Sequence, residues 1–510
     1  MEELKSEQVS NGVEVSGHGV ELDPVPPQDS VPSQVLDRHI NLSSIINFGL
    51  LVIVSWEAFA VTFQFALLNG GPATMVYGCI LVGIGSTFVS LSLAELASID
   101  PAVGAQYRWA AHLAPAAPRF WGLIQGWLTL FAWVAGLAAG PALMAETIMG
   151  MAAFNYPNYT PHPYQYTLLM WALIIVPFVF NLFFRKLLNP FELIGGLCHF
   201  LFFIVAIVTL AVLAERSTPQ FVFQTLTEGL SGWSDPGVQW GIGLLTVTYA
   251  VTGFDGTLHM SDEVKRVRTR LPKSIIIASV SNSIMLFAFI ICLLFCIGDI
   301  NKVSTAPVPI IETFYQATKS VNATNFLVSM PIIVLFFTQF NAYASVSRLT
   351  WTFAKDKGLP FHRTFAYVHP TLRIPLNALA LDCTIAFLLV TIYIGSSTAF
   401  EAIISLQGMA LCVSYITPIT FIAWRRIFGT APPPGPFTLG PWGLLCNLLA
   451  LVYLILVVIW MPFPTMLPVT GSNMNYAGPV LGFVILAALV DWMISGRKRF
   501  KVPVAPKIHE

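Results

Sequence analysis

The sequence predicts an all-α polytopic membrane protein of about twelve transmembrane helices, and three observations carry that prediction. Of 510 residues, 55% are apolar and only 10% are charged, where a soluble domain carries about 25% charged residues. Mean hydropathy is +0.72. Apolar stretches of roughly 18–25 residues recur from Ser44 onward, the length a helix needs to cross a bilayer. Lys and Arg are also unevenly divided between alternate connections, the signal that sets membrane orientation. Folded in water, such a chain could not cover its core with polar surface. An ordinary soluble enzyme is therefore excluded. The 26 Lys+Arg balance 26 Asp+Glu, so a nucleic-acid partner, which needs a basic excess, is excluded too. The seven cysteines lie inside apolar runs and read as small packed hydrophobes, not a disulfide scaffold.

Residues 1–43 hold no long apolar run, so no cleavable signal peptide is expected. Their Glu, Asp, Ser, Pro and Val content predicts a disordered cytoplasmic tail. Spans follow near 44–68, 73–97, 120–150, 166–184, 189–214, 236–261, 273–298, 326–352, 375–395, 399–424, 438–462 and 475–496. Together they form a transmembrane domain over 44–496, ahead of a basic cytoplasmic tail, 497–510. Helices are the expected solution because lipid offers exposed backbone no hydrogen-bond partner, and the stretches are too long for barrel strands.

With the N-terminus inside, the inner segments hold 22 Lys and Arg, and the outer ones only Arg216, Lys302 and Lys319. Arg348, at the inner end of a span, is left out of the count. Both termini are thus expected in the cytoplasm, with the plasma membrane as the expected location and the vacuolar membrane as the alternative. The sequons Asn158-Tyr159-Thr160 and Asn322-Ala323-Thr324 fall in outer loops, which makes Asn158 and Asn322 glycosylation candidates. Asn41-Leu42-Ser43 falls inside and is expected to be silent.

Acids at membrane depth cost roughly 2.5–3.5 kcal/mol at mid-helix and are functional candidates by default. Glu57 stands near the centre of the first span, in Ser55-Trp56-Glu57-Ala58. Asp255 stands near the middle of the sixth, in Ala250-Val251-Thr252-Gly253-Phe254-Asp255-Gly256-Thr257. Gly241, Gly243, Gly253 and Gly256 make the sixth helix easy to interrupt. An interruption frees backbone groups and points two half-helix dipoles into a cavity. Structural readings stand beside these: Glu57 bonded to a neighbouring helix, Asp255 capping a second half-helix. Thr338, Asn341, Ser345 and Arg348 in the eighth span share one helical face, which in lipid must look into the bundle, either as cavity lining or as interhelical hydrogen bonds. Ser405 and Gln407 in the tenth span repeat the pattern more weakly. Trp127 and Trp133 read as packing or interface anchors. Two broken spans five apart point to an inverted repeat, spans one to five against six to ten.

At these residues the chain resembles the amino acid–polyamine–organocation superfamily, and within it the fungal GABA/choline-type amino acid permeases. The matching pieces run through most of the membrane region: Ser55-Trp56-Glu57 with Asn69-Gly70-Gly71-Pro72; Leu93-Ala94-Glu95 with Gln106-Tyr107; Gly253-Phe254-Asp255 with Asp262-Glu263; and Ser347-Arg348 with Gly358-Leu359-Pro360. The resemblance implies a five-plus-five inverted repeat with unwound first and sixth helices, working as a secondary importer by alternating access. Ser55, Trp56, Glu57 and Ala58 would lie on the first unwound helix, and Ala250, Thr252, Gly253, Phe254 and Asp255 on the sixth. Many superfamily members have a Gly-rich break in the first helix, where this chain has Trp-Glu.

A carboxylate beside an indole suits an amine or quaternary ammonium. The expectation is that Glu57 and Trp56 hold the cationic end of a small amine or amino acid. Glu57 and Asp255 would gate or carry a proton, Asn341 and Ser345 would complete the binding site, and Thr338, Ser405 and Gln407 would line a secondary cavity. No cofactor, metal or catalytic residue is expected. A passive channel and a membrane nutrient sensor of the same fold are the competing readings. An intramembrane enzyme lacks its constellation, since His199 and His259 stand apart in sequence.

Overall fold

The computed structural model describes residues 38–184, 187–226, 230–471 and 473–503, with the side chains of 188, 189 and 399–405 left outside the description. The tail expected over 1–43 falls almost wholly outside the described residues, as do Arg185, Lys186 and 504–510. Among the described residues the regular structure is helical, apart from an isolated parallel bridge between Ile40 and Val264.

The first span comprises Leu42–Ile53 and Ser55–Thr62, followed by Gly71–Ile99, Pro118–Asn155, Pro163–Phe183 and Leu188–Leu213 as spans two to five. The sixth is Pro236–Ala250 continued by a 3-10 stretch, Phe254–Glu263. Spans seven to twelve are Val267–Phe295, Val321–Lys355, Leu376–Gly395, Ser397–Ile427, Gly443–Trp460 and Ala477–Asp491. Eleven helices among the described residues are long and apolar enough to cross a membrane. The sixth falls out of that number because its break leaves neither half 18 residues long. A short helix absent from the sequence expectation, Ala105–Leu113, sits between spans two and three and is almost wholly buried.

Packing follows the repeat. The second span lies against the seventh, the third against the eighth, the fourth against the ninth, and the halves of the first against those of the sixth. Exposed Ile204, Val212, Leu388, Val452 and Phe483 give the outer surface an apolar coat, the environment a bilayer satisfies. Hydrogen bonds separate the two ends of the bundle. At one end Ile40 pairs with Val264, and the backbone N–H of Lys501 donates to Asp356 O at 3.0 Å, so the first and last described segments dock on the same face. At the other, Asn155 and Asn325 exchange hydrogen bonds at 2.9 and 2.8 Å. Asn158 and Asn322 are exposed at this second face.

Candidate functional site

Both helix breaks have a local cause. In the first span Val54 adopts φ 43°, ψ 53°, the left-handed region, which strains a β-branched residue by an amount on the order of 1–3 kcal/mol. The seventh span supports that strain. Asn282 Oδ1 accepts from the Ser55 backbone N–H at 3.1 Å and from the Ser55 hydroxyl at 2.7 Å, while its Nδ2 donates to Leu50 O at 3.3 Å. One amide thus serves both sides of the break. The Gly-rich segment usual in the superfamily is replaced here by a single strained valine with an asparagine clamp. In the sixth span the helix ends at Ala250 and Gly253 takes φ 104°, a conformation open to glycine and poorly open to other residues. Close approach matters as well: a Cβ on Gly256 would lie 2.7 Å from Val52 Cγ1.

A cavity of about 80 Å³ lies at the level of these breaks. The first span contributes Val52, Ile53, Val54 and Ala58, and the sixth contributes Tyr249 and Thr252. Trp133, Gly136 and Gly140 come from the third, Thr338 and Gln339 from the eighth, and Gln407 and Gly408 from the tenth. At about 10–15 Å³ per water-sized occupant, this is room for roughly five to eight non-hydrogen atoms. No Asp, Glu, Lys, Arg or His is among its described lining residues. Its polarity comes from other sources. Oε1 of Gln339 and Oε1 of Gln407 are buried without a hydrogen-bond partner, a costly state that an incoming donor would relieve. The first half-helix ends on the cavity at Val52 and Ile53, and the carbonyl end of a helix dipole favours positive charge.

The sequence expectation for Trp56 and Glu57 is not met in this arrangement. Neither lines the cavity. The Trp56 ring packs against Phe203 and Phe289 at 6.1 and 5.4 Å between centroids, and its Nε1 donates to His199 O at 3.3 Å. Glu57 Oε1 lies 2.7 Å from His199 Nδ1, with both side chains fully buried. In a helix, residues 56 and 57 point about 160° and 100° away from Ala58, so when Ala58 faces the cavity these two face the fifth and seventh spans. Ser55 serves the break, as above. Ala250, Gly253 and Phe254 are buried beside the cavity but outside its wall, Phe254 stacked on Tyr415.

Asp255 is also removed from the cavity wall, and the structure does not bring it into contact with Glu57. Its Oδ2 accepts from Gln106 Nε2 at 2.5 Å and from Trp133 Nε1 at 2.9 Å, and its Oδ1 accepts from the Tyr415 hydroxyl at 2.5 Å. His259 Nε2 stands 3.7 Å away. One carboxylate thus ties the sixth span to the third, the tenth and the short helix 105–113. Trp133 belongs to both the cavity wall and this tie, so Asp255 fixes the floor on the side of the chain termini.

The polar stripe of the eighth span does look into the bundle. The Thr338 hydroxyl donates to Leu51 O at 2.7 Å, that of Ser345 to Gly256 O at 2.9 Å, and Arg348 Nε to Glu263 Oε1 at 2.5 Å. Each bond holds a segment of a broken helix. Asn341 is buried with Nδ2 unpartnered and is not part of the cavity wall. Of the expected residues, Ala58, Thr252, Thr338 and Gln407 line the cavity, and the Ser405 side chain lies outside the described residues. Sequence reasoning missed Gln339, Trp133 as a wall residue, and His199 as the partner of Glu57. Gln339 carried a usable signal, a carboxamide next to the polar stripe. Glu146 was missed too. It follows the cavity-lining positions 136, 140 and 143 on the third span.

The amino acid permease family model matches residues 40–486. A chain described as an amino acid/polyamine transporter of Macrophomina phaseolina is 31% identical over 440 residues, covering 85% of this chain and 96% of that one. A choline transporter of Saccharomyces cerevisiae is 29% identical over 493 residues, covering 94% of this chain and 86% of its own. A polyamine transporter of the same yeast is 28% identical, covering 93% and 78%. A helical bundle with two interrupted spans around a small uncharged hollow, matched over nearly its whole membrane region, moves amino acids or amines and is not an enzyme: the chain belongs to the amino acid permease family, within the amino acid–polyamine–organocation superfamily.

Proposed function

We propose that this permease imports one small amine-bearing solute, in the class of GABA or choline, by alternating access, and that a proton accompanies any solute without net charge. One observation carries the reading: the cavity at the helix breaks presents two unpartnered carboxamide oxygens, Gln339 and Gln407, and no charged side chain. An ammonium group can donate to both oxygens and to the carbonyl end of the first half-helix, with the Trp133 indole beside it for cation–π attraction. Room for roughly five to eight non-hydrogen atoms suits GABA or choline better than a long polyamine. The names of the yeast choline and polyamine transporters support the amine class.

Lys and Arg asymmetry supports cytoplasmic termini, so the cavity floor at Asp255 faces the cytoplasm. A potential of 100 mV adds about 2.3 kcal/mol per positive charge moved inward, roughly fifty-fold accumulation. Choline can use that drive alone, whereas zwitterionic GABA needs the proton. Exposure of Asn158 and Asn322 on the opposite face supports glycan attachment there.

The test is uptake of radiolabelled amines and amino acids in cells stripped of their own permeases, with counterflow to separate a carrier from a channel. Gln339→Leu should raise KM for the accepted amine by about ten- to hundred-fold, the worth of a hydrogen bond to a charged group. Unchanged KM in Gln339→Leu and Gln407→Leu alike would refute the proposed site.

A further inference from the structure

We propose that the co-transported proton is carried by the Glu57–His199 pair, behind the substrate cavity and not inside it. This rests on the symport reading above. Glu57 is the third residue of the half-helix that begins after the strained Val54, and His199 belongs to the fifth span. Their contact, Oε1 to Nδ1 at 2.7 Å, is fully enclosed. Glu57 Oε2 and His199 Nε2 are both buried and meet no hydrogen-bond partner. Two orphan atoms on one buried pair are unusual, because such groups are nearly always satisfied. The pair is built to hold something small.

The charge balance identifies it. With the Nδ1–H donating to the carboxylate, the pair carries one negative charge and His199 Nε2 presents a lone pair. A proton delivered by hydronium breaks an O–H bond there, releases water, forms an N–H bond at Nε2 and leaves an imidazolium–carboxylate pair with no net charge. A neutral pair tolerates a sealed site, but a lone buried charge does not and must be opened to water. Trp56 is itself fully buried, and its Nε1 donates to the backbone of His199. Losing the proton therefore favours movement of the half-helix that carries Trp56 and Glu57, about the hinge at Val54. That same half-helix brings Ala58 to the cavity wall, which couples proton and substrate without contact between them.

Of the neighbouring ionisable groups, Glu192 lies two turns before His199 on the fifth span itself, and those on the elements packed against the pair are engaged or exposed. Arg348 on the eighth span bonds Glu263, Arg268 on the seventh bonds Ser98 O, and Glu312 between them accepts from Gln316. Lys273 is exposed, Tyr249 lines the cavity, and Glu146 belongs to the third span. Among the described residues no ion pair links Glu57 or His199 to a third group.

The test uses the full chain in vesicles with an internal pH dye and a zwitterionic substrate that the uptake panel has shown to be accepted. Wild-type protein should move protons with substrate, and a one-unit pH gradient should give about tenfold accumulation at one proton per solute. If wild type moves substrate without protons, the symport reading itself fails, whichever residues are involved. Given wild-type coupling, Glu57→Gln and His199→Gln should each abolish proton movement and gradient-driven accumulation, while exchange of labelled for unlabelled substrate continues with KM within about twofold. Glu57→Asp should restore part of the coupling. Retained accumulation in either glutamine variant overturns the proposal. So does a tenfold rise in exchange KM, which would make Glu57 a substrate ligand. Should both variants fail to fold, wild-type protein with ring-¹⁵N histidine answers the question: infrared difference spectra must show an imidazole gaining a proton on acidification, and a silent imidazole overturns the proposal.

Discussion

Asp255→Asn removes the charge from the cavity floor and keeps its shape. Gln106 Nε2 and Trp133 Nε1 are donors only, and both aim at Oδ2. The asparagine must turn its oxygen toward them, which leaves its NH₂ facing Tyr415. That hydroxyl then accepts and loses its own acceptor. Bonds to a charged group contribute about 1.5–3 kcal/mol each and neutral ones about 1, values already net of desolvation. Three weakened contacts amount to about 3 kcal/mol, or roughly a hundredfold in the equilibrium between closed and open floor. The assay is the labelling rate of Cys412, a buried thiol of the tenth span within the field of Asp255. An impermeant maleimide is applied from the face that carries the termini, with Cys412→Ala as the background control. The variant should label up to about a hundredfold faster in the absence of substrate. Unchanged labelling in folded protein, together with a raised substrate KM, would show that Asp255 binds solute and does not latch the floor.

Three further outcomes are expected. Gly140→Ala places a Cβ 1.7 Å from Gln339 Nε2, so the carboxamide must swing out of the cavity; transport KM should rise about tenfold, and an unchanged value would show that Gln339 does not meet the solute. Asn282→Ala strips three bonds from the break at Val54 and should lower stability by about 2–4 kcal/mol, read as a lower melting temperature in detergent. Burial pushes the Asp356 carboxyl up to about 6 from 3.8, despite the Tyr107 hydrogen bond and the charges of Lys355 and Arg108, with Asp262 acting upward. An acid held high in the packed state makes that state firmer as pH falls through 6 toward 4, and looser as pH rises. Proteolysis near 356–363 should slow on acidification in wild type and lose that pH dependence in Asp356→Asn.

The architecture was legible because span length, the Gly-rich sixth helix and the position of each polar stripe are one-dimensional signals. Thr338, Ser345 and Arg348 look inward, as a polar face in lipid must. Glu57 was legible as unusual, but its partner was not: His199 lies 142 residues away, and nothing in either local pattern states that the two meet. The direction of Trp56 and Glu57 was hidden for a related reason. It depends on where the first helix breaks. The break falls at Val54 because Asn282, more than two hundred residues on, supplies the bonds that a strained valine needs. Asp255 failed the expectation of direct substrate contact because three donors from three elements converge on it.

These misplacements share a cause that bears on how such a carrier works. The sequence reading put the charges on the solute, while the structure puts them between helices, away from the cavity wall. A charged wall would bind a cationic solute tightly in every state, and tight binding that is equal in two states shifts nothing between them. The cavity instead offers carboxamide oxygens and helix ends. The carboxylates sit where segments must part: Asp255 under the floor, Glu263 with Arg348 below it, and Glu57 with His199 behind the hinge. On the opposite side Tyr249, Thr252 and Gln407 keep partial exposure. Opening the side of Asp255 means separating the Asp255 tie and the Glu263–Arg348 pair. Under the proposed mechanism solute and proton bias that step, and the ion pairs set how strong the bias must be.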